Sequence, residues 1–311
     1  MLRPRALPVL LLVLAVALAM VATLATSAEA ARKKKRSVSW APAATATITP
    51  GVQMYTEGSQ CTANFVFTDR EGGVYVGYSA HCAGLGEATD TSGCGQQSVP
   101  LGTRVTFERG GSQLSAGTVL GTGTLVYSSW ETMNRLGTTD PNTCDYNDFA
   151  LVKVSAADVG KVNPSIPVFG GPTGIDTDGT VAGDQLFSYG NSSLRAGIEL
   201  LSPKYGVSLG TSGDGWTHQL YTLTPGVPGD SGSAFVDAEG KAIGTLSTLG
   251  LAPLPLSNNT GDLSRELAFA QQHSGIPGLR LALGTEPFAP ALPALGGLPA
   301  LPGPGSLGGL L

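Results

Sequence analysis

The feature that most constrains this 311-residue chain is a rhythm of short apolar runs broken by Gly, Asp and Asn, sustained from about residue 51 to 257. "CTANFVF", "VYVGYSAHC", "TRVTF", "QLSAGTVLGTGTLVY", "DFALVKV", "DQLFSYG", "WTHQLYTL", "SAFV" and "AIGTLSTL" read as strands, and turn-forming residues separate them. Strands at that spacing predict an antiparallel sandwich or a pair of barrels. The 44 glycines, 21 prolines and 13% charged residues point the same way, since tight turns need the first two and helical bundles need more charge. One helix is expected, "GDLSRELAFAQQH". Asp262 is its N-cap, Leu263, Leu267 and Ala270 share one face, and Gly275 and Pro277 stop it. No internal repeat of 20–50 residues is present.

The two ends differ from this body. Arg3 and Arg5 precede an apolar run, and "AEA" at Ala28–Ala30 offers a small-x-small cleavage site, so residues 1–30 read as an export signal. A run of that length also suits an uncleaved membrane anchor, the alternative. "RKKKR" at Arg32–Arg36 speaks against the anchor, because basic clusters tend to stay cytoplasmic and would hold the body inside. Secretion is therefore expected, with no stable membrane insertion after cleavage. Residues 31–50 read as a lead-in or short propeptide, 51–285 as the folded domain, and 286–311 as a disordered Pro/Gly/Leu tail. Loss of residues 1–30 removes Arg3, Arg5 and Glu29 from the 18 basic and 23 acidic side chains and leaves a net charge of −6. An acidic body excludes nucleic acid as the expected partner, and a monomer is expected.

Four cysteines, Cys61, Cys82, Cys94 and Cys144, include no C-x-x-C pair, so neither a zinc site nor any other metal is expected. An even count in an exported chain implies two disulfides. "CTANFVF" and "VYVGYSAHC" flank the turn-like "TDREGG", so the two should form an antiparallel hairpin. A turn centred near residue 71 pairs residues whose numbers sum to about 142, which places Cys61 nearly opposite Cys82. Cys94–Cys144 follows by elimination.

The chemistry centres on "PGVPGDSGSAF", Pro225–Phe235. Gly-Asp-Ser-Gly directly before an apolar strand predicts a tight bend with Ser231 displayed on it. A serine hydroxyl becomes a useful nucleophile only when a base takes its proton, and the base works best with a carboxylate behind it. The chain has three histidines. His81 ends a strand beside a cysteine, whereas His218 and His273 suit packing or surface roles. Asp148, directly before "FALVKV", suits the buried acid better than Asp145 does.

The order and local contexts "SAHC", "NDFALVKV" and "GDSGS" resemble the chymotrypsin-like (trypsin-family) serine endopeptidases over roughly residues 51 to 250. The resemblance implies an all-β fold of two antiparallel six-stranded β-barrels with a C-terminal helix. It further implies Ser231 as nucleophile, His81 as general base and acid, and Asp148 as orienting carboxylate. The backbone N–H groups of Gly229 and Ser231 would form the oxyanion hole. No cofactor is implied, and the substrates are polypeptides.

Two departures stand out. Ser233 replaces the usual second glycine, and no Ile/Val-Val-Gly-Gly sequence follows a basic site, so Asp230 has no freed N-terminal ammonium to pair with. The resemblance would place Pro225 at the floor of the primary pocket, where an acid in the family selects Arg or Lys, so basic residues are not the expected preference. By the same resemblance, Ser247 matches the segment that would pair with substrate backbone as an added strand. The alternatives are a chymotrypsin-fold binding module without activity and a serine esterase. The α/β-hydrolase version of the latter fits poorly, because its elbow reads G-x-S-x-G and its histidine follows the serine.

Overall fold

The computed structural model describes residues 38–86, 92–112, 115, 117–250 and 255–290. The expected signal segment 1–30, and the part of the tail beyond residue 290, lie outside the described residues. The first barrel comprises β1 (Gln53–Thr56), β2 (Ser59–Thr62), β3 (Val66–Thr68), β4 (Val74–Tyr78), β5 (Arg104–Arg109), β6 (Thr118–Ser128) and β7 (Ala150–Val154). Its order is β3-β4-β7-β6-β5-β1-β2, and every one of these neighbours is antiparallel. β2 and β3 are two halves of one bent strand. One half pairs with β1, the other with β4, and bonds from Ala63 N–H to Val52 O and Gly77 N–H to Phe65 O carry the ladder round the bend. The sheet thereby closes into a six-stranded barrel.

The β3–β4 turn forms because Asp69 replaces the missing backbone partners. Its Oδ1 accepts the N–H groups of Glu71 and Gly73, each at 2.7 Å, and its Oδ2 accepts the Tyr75 hydroxyl. The register, Val66 with Val76 and Phe67 with Tyr75, has the expected numerical sum. Beyond Asn64 the strand bends away, yet Cys61 and Cys82 still meet as a disulfide with Cα atoms 6.1 Å apart.

The second barrel uses β9 (Gln185–Tyr189), β10 (Pro203–Ser212), β11 (Thr217–Leu223), β14 (Ser257–Asp262), β13 (Lys241–Gly250) and β12 (Ala234–Val236), in that spatial order. It closes where β12 pairs with both β13 and β9. β8 (Gly174–Ile175) adds a short parallel edge to β13, and β15 (Arg280–Leu281) returns to β3 of the first barrel. Among the described residues, α1 (Ser129–Leu136) and α2 (Pro141–Tyr146) connect β6 to β7, and α3 (Leu263–His273) follows β14. α3 is the helix expected from the sequence: Asp262 Oδ1 caps the Arg265 N–H at 2.9 Å, and Leu263, Leu267 and Ala270 are buried. No helix among the described residues is long and apolar enough to cross a membrane.

Met54, Val76, Phe107, Leu125 and Val152 fill the first barrel, and Leu186, Leu220, Phe235 and Ile243 the second. A separate layer, with Phe65, Phe67 and Phe149 from one barrel, Phe187 and Val236 from the other and Leu267 from α3, cements the two together. Residues flanking the expected 51–285 domain also lie against it. Ile48 is fully buried and bridges Val162, while the Ala289 N–H donates to Phe169 O and Phe288 packs on Phe187.

Candidate active site

The site is assembled from loops at strand ends, where side chains are displayed but their backbones are fixed. β4 ends at Tyr78 and passes into a single 3₁₀ turn, Ala80–Ala83, that carries His81. The Cys61–Cys82 bond pins that turn to the end of β2, so the imidazole hangs from a rigid wall. Its side chain is 27% exposed, and the Trp130 ring lies 6.3 Å away between centroids.

Asp148 sits between α2 and β7, and the Cys94–Cys144 disulfide ties α2 to the loop after the 3₁₀ turn. The carboxylate is 3% exposed and fully engaged. Oδ1 accepts the His81 backbone N–H at 2.8 Å, and Oδ2 meets His81 Nδ1 at 2.7 Å and the Ser247 hydroxyl at 2.6 Å. For His81, burial pulls the pKa down, but the charge and hydrogen bond of Asp148 outweigh it and leave the imidazole above its ordinary 6.5. For Asp148, burial works against the carboxylate. The His81 charge and hydrogen bond, then the Ser247 hydroxyl, overcome that and hold its pKa below the usual range.

Ser231 lies on the expected bend. Asp230 N–H donates to Val227 O, Ser233 N–H donates to Asp230 O, and Gly229 and Gly232 take φ of +92° and +91°. Gly232 is required for space as well: a Cβ there would come within 2.2 Å of Thr62 O. The loop is tied to the first barrel by Thr62 N–H to Ser231 O at 2.8 Å, and by Gln60 Nε2 and Thr62 Oγ1 to Gly229 O. One carbonyl, Leu246 O, receives both the Gly232 N–H and the Ser79 hydroxyl, joining the serine loop to the histidine loop. Among the described residues, the N–H groups of Gly229 and Ser231 donate to no protein acceptor, and no hydrogen bond joins Ser231 Oγ to the His81 ring.

Sequence reasoning did not find what holds Asp230. The carboxylate is fully buried, and Oδ2 meets Lys204 Nζ at 2.9 Å and Arg195 Nη2 at 2.5 Å, while Oδ1 accepts the Ser192 N–H at 3.0 Å. Neither cation has a sequence signal, since each comes from a segment unrelated to the Ser231 motif. Burial draws the Lys204 pKa down, the Asp230 charge opposes this, and Arg195 adds to it. Asp230→Ala strands two buried cations, and we expect a loss on the order of 3–5 kcal/mol in chemical denaturation. Wild-type stability in that variant would contradict this role.

Pro225 offers its carbonyl to Arg195 Nη2 at 3.1 Å and Lys204 Nζ at 3.2 Å. Ser247 lies in β13 and donates its side-chain hydroxyl to Asp148 Oδ2. Between these two segments stands Asn258, another residue the sequence did not flag. Its Oδ1 accepts the Gly226 N–H at 2.9 Å, and its Nδ2 donates to Gly226 O at 3.2 Å and Thr248 O at 3.3 Å. Among the described residues one cluster has metal-ligand spacing, Cys61, His81 and Cys82, but its two sulfurs are bonded to each other and present no thiolate.

No protein-family model and no curated protein matches the sequence. Solved structures do match. Thermobifida fusca protease A is 16% identical, with 76% of this chain and 99% of that chain covered and a TM-score of 0.46. Nocardiopsis protease is 18% identical, with 75% and 98% covered and a TM-score of 0.41. A glutamic acid-specific serine protease, described as using a histidine triad in substrate binding, is 18% identical, with 71% and 96% covered and a TM-score of 0.42. The structures this chain resembles are thus bacterial serine proteases of the chymotrypsin fold.

Proposed function

We propose that the protein is an exported serine endopeptidase that cleaves peptide bonds through an acyl-enzyme, with Ser231 as nucleophile, His81 as base and acid, and Asp148 behind the imidazole. The observation that carries this is the fully engaged Asp148–His81 pair beside a serine bend whose two flanking N–H groups are unspent. His81 Nδ1 is committed to the carboxylate, which leaves Nε2 to take the Ser231 proton. Hydrogen bonds of this kind are often long without substrate and tighten when it binds. As the carbonyl oxygen gains charge, the Gly229 and Ser231 N–H groups stabilise it. The imidazolium then protonates the leaving amine, and water repeats the sequence on the ester. Two disulfides favour an oxidising compartment outside the cytoplasm.

The primary pocket, bounded by Pro225 and Ser247 and crossed by Asn258, favours a small or apolar residue. Pro225 carries no charge with which to hold the cation of Arg or Lys. A peptide library analysed by mass spectrometry tests both parts. Internal cuts after small or apolar residues are expected, whereas strong cleavage after Arg overturns the specificity. Ester hydrolysis with no peptide cleavage would favour the esterase, and neither activity would favour the binding module.

A further inference from the structure

Behind Asp148, on the side away from His81, lies a second carboxyl that the mechanism does not use. Glu266 is in the first turn of α3, is 0% exposed, and accepts the Asp148 backbone N–H on Oε1 at 3.1 Å. The fit is close: a Cβ at Gly261 would come within 2.2 Å of Oε1 and 2.8 Å of Tyr146 O. Oε2 has no hydrogen-bond partner among the described residues. Of the groups around it, the two acids oppose a carboxylate, and the Thr245 hydroxyl favours one by less than burial opposes it. Asp148 faces it, Asp262 lies at the start of its own helix, the Thr245 hydroxyl is beside it, and the buried Tyr127 hydroxyl approaches from β6. Glu131 and Arg135 of α1 also act on Tyr127, in opposite directions, and among the described residues Glu266 makes no ion pair.

We propose that Glu266 is a neutral, protonated carboxylic acid that positions Asp148, accepting its N–H while adding no second negative charge behind the His81–Asp148 pair. A dry carboxylate without a cation is costly, and a like charge in front of it makes ionisation costlier still. Burial first, and the Asp148 charge second, hold the Glu266 proton on well above the usual carboxylate range. The partial positive charge at the start of α3 favours the ionised form, but by less than the loss of water opposes it. A neutral acid here leaves the pull on the His81 proton to Asp148 alone. The backbone that carries Asp148 is anchored at its N–H by Glu266, just as its side chain is anchored at both oxygens.

The inference deepens the hydrolase reading, and its test separates the two. In protein labelled with ¹³C at the glutamate carboxyl, an NMR titration should show one glutamate still protonated at neutral pH. That signal should vanish in Glu266→Gln, or in Glu266→Met if the first variant does not fold. Every glutamate ionised at neutral pH would overturn the proposal whatever the activity; the signal present in an inactive wild type would sink only the hydrolase reading. In the kinetic arm, Glu266→Gln keeps both kcat/KM and the pH of its acidic limb, whereas Glu266→Ala loses on the order of 10²-fold through misplacement of Asp148. An acidic limb lowered by about one pH unit in Glu266→Gln would mean that a negative charge had been removed, which also overturns the proposal.

Discussion

Ser231→Ala should reduce peptide hydrolysis by on the order of 10⁶-fold while leaving the fold intact. Among the described residues the Ser231 side chain makes no hydrogen bond, and the loop is held through the Ser231 carbonyl, the Gly229 carbonyl and the Gly232 N–H. Alanine keeps all of these, along with the two unspent N–H groups. What disappears is the bond-forming oxygen, and with it the acyl-enzyme route. His81→Ala should cost about as much, and the double variant hardly more, because nucleophile and base act as one unit. Near-wild-type turnover in either single variant, measured on one peptide at several pH values, is incompatible with the mechanism.

Asp148→Asn should fold normally and lose about 10⁴-fold. The contacts decide which way the amide turns. Oδ1 receives the His81 backbone N–H, a donor that cannot reorient, so the amide NH₂ is driven into the Oδ2 place. There the Ser247 hydroxyl can rotate to accept, but His81 Nδ1 must accept as well. The ring proton then moves to Nε2, where it blocks transfer from Ser231. The pH profile should change with it. In the wild type the neutral ring is the active base and its pKa is raised, so kcat/KM should fall as pH drops through a value above 6.5. With the Asp148 charge gone, burial dominates and any residual activity should persist to lower pH. An Asn variant with full activity, or an acidic limb that did not move, would contradict the role of Asp148.

Much of this was legible in the sequence where local chemistry decides structure. The Asp69 turn fixed the hairpin register, the apolar alternation marked β4, β6, β7, β9 and β13, and Asp262 marked the start of α3. Among the described residues five strands escaped: β1, whose "QMYT" is too short to show a period, the two-residue β8 and β15, the glycine-interrupted β10, and β14. In "SNNTGD" the buried positions are polar and are satisfied by cross-strand and side-chain bonds rather than by hydrophobic contact. α1 and α2 also escaped, since eight and six residues give too few turns for a helical stripe and their capping comes from Ser128 and Asp140. At the site, His81, Asp148 and Ser231 stood out because each lies in a motif contiguous in the chain. Lys204, Arg195, Asn258 and Glu266 did not, because their meaning arises only when remote segments fold together.

The most direct measurement is labelling with a fluorophosphonate, followed by mass-spectrometric mapping of the modified peptide. The account predicts one adduct, on Ser231, formed faster as pH rises through the His81 titration and absent from both Ser231→Ala and denatured protein. Native protein left unlabelled, or labelled at a different serine while peptides are still cleaved, would contradict it.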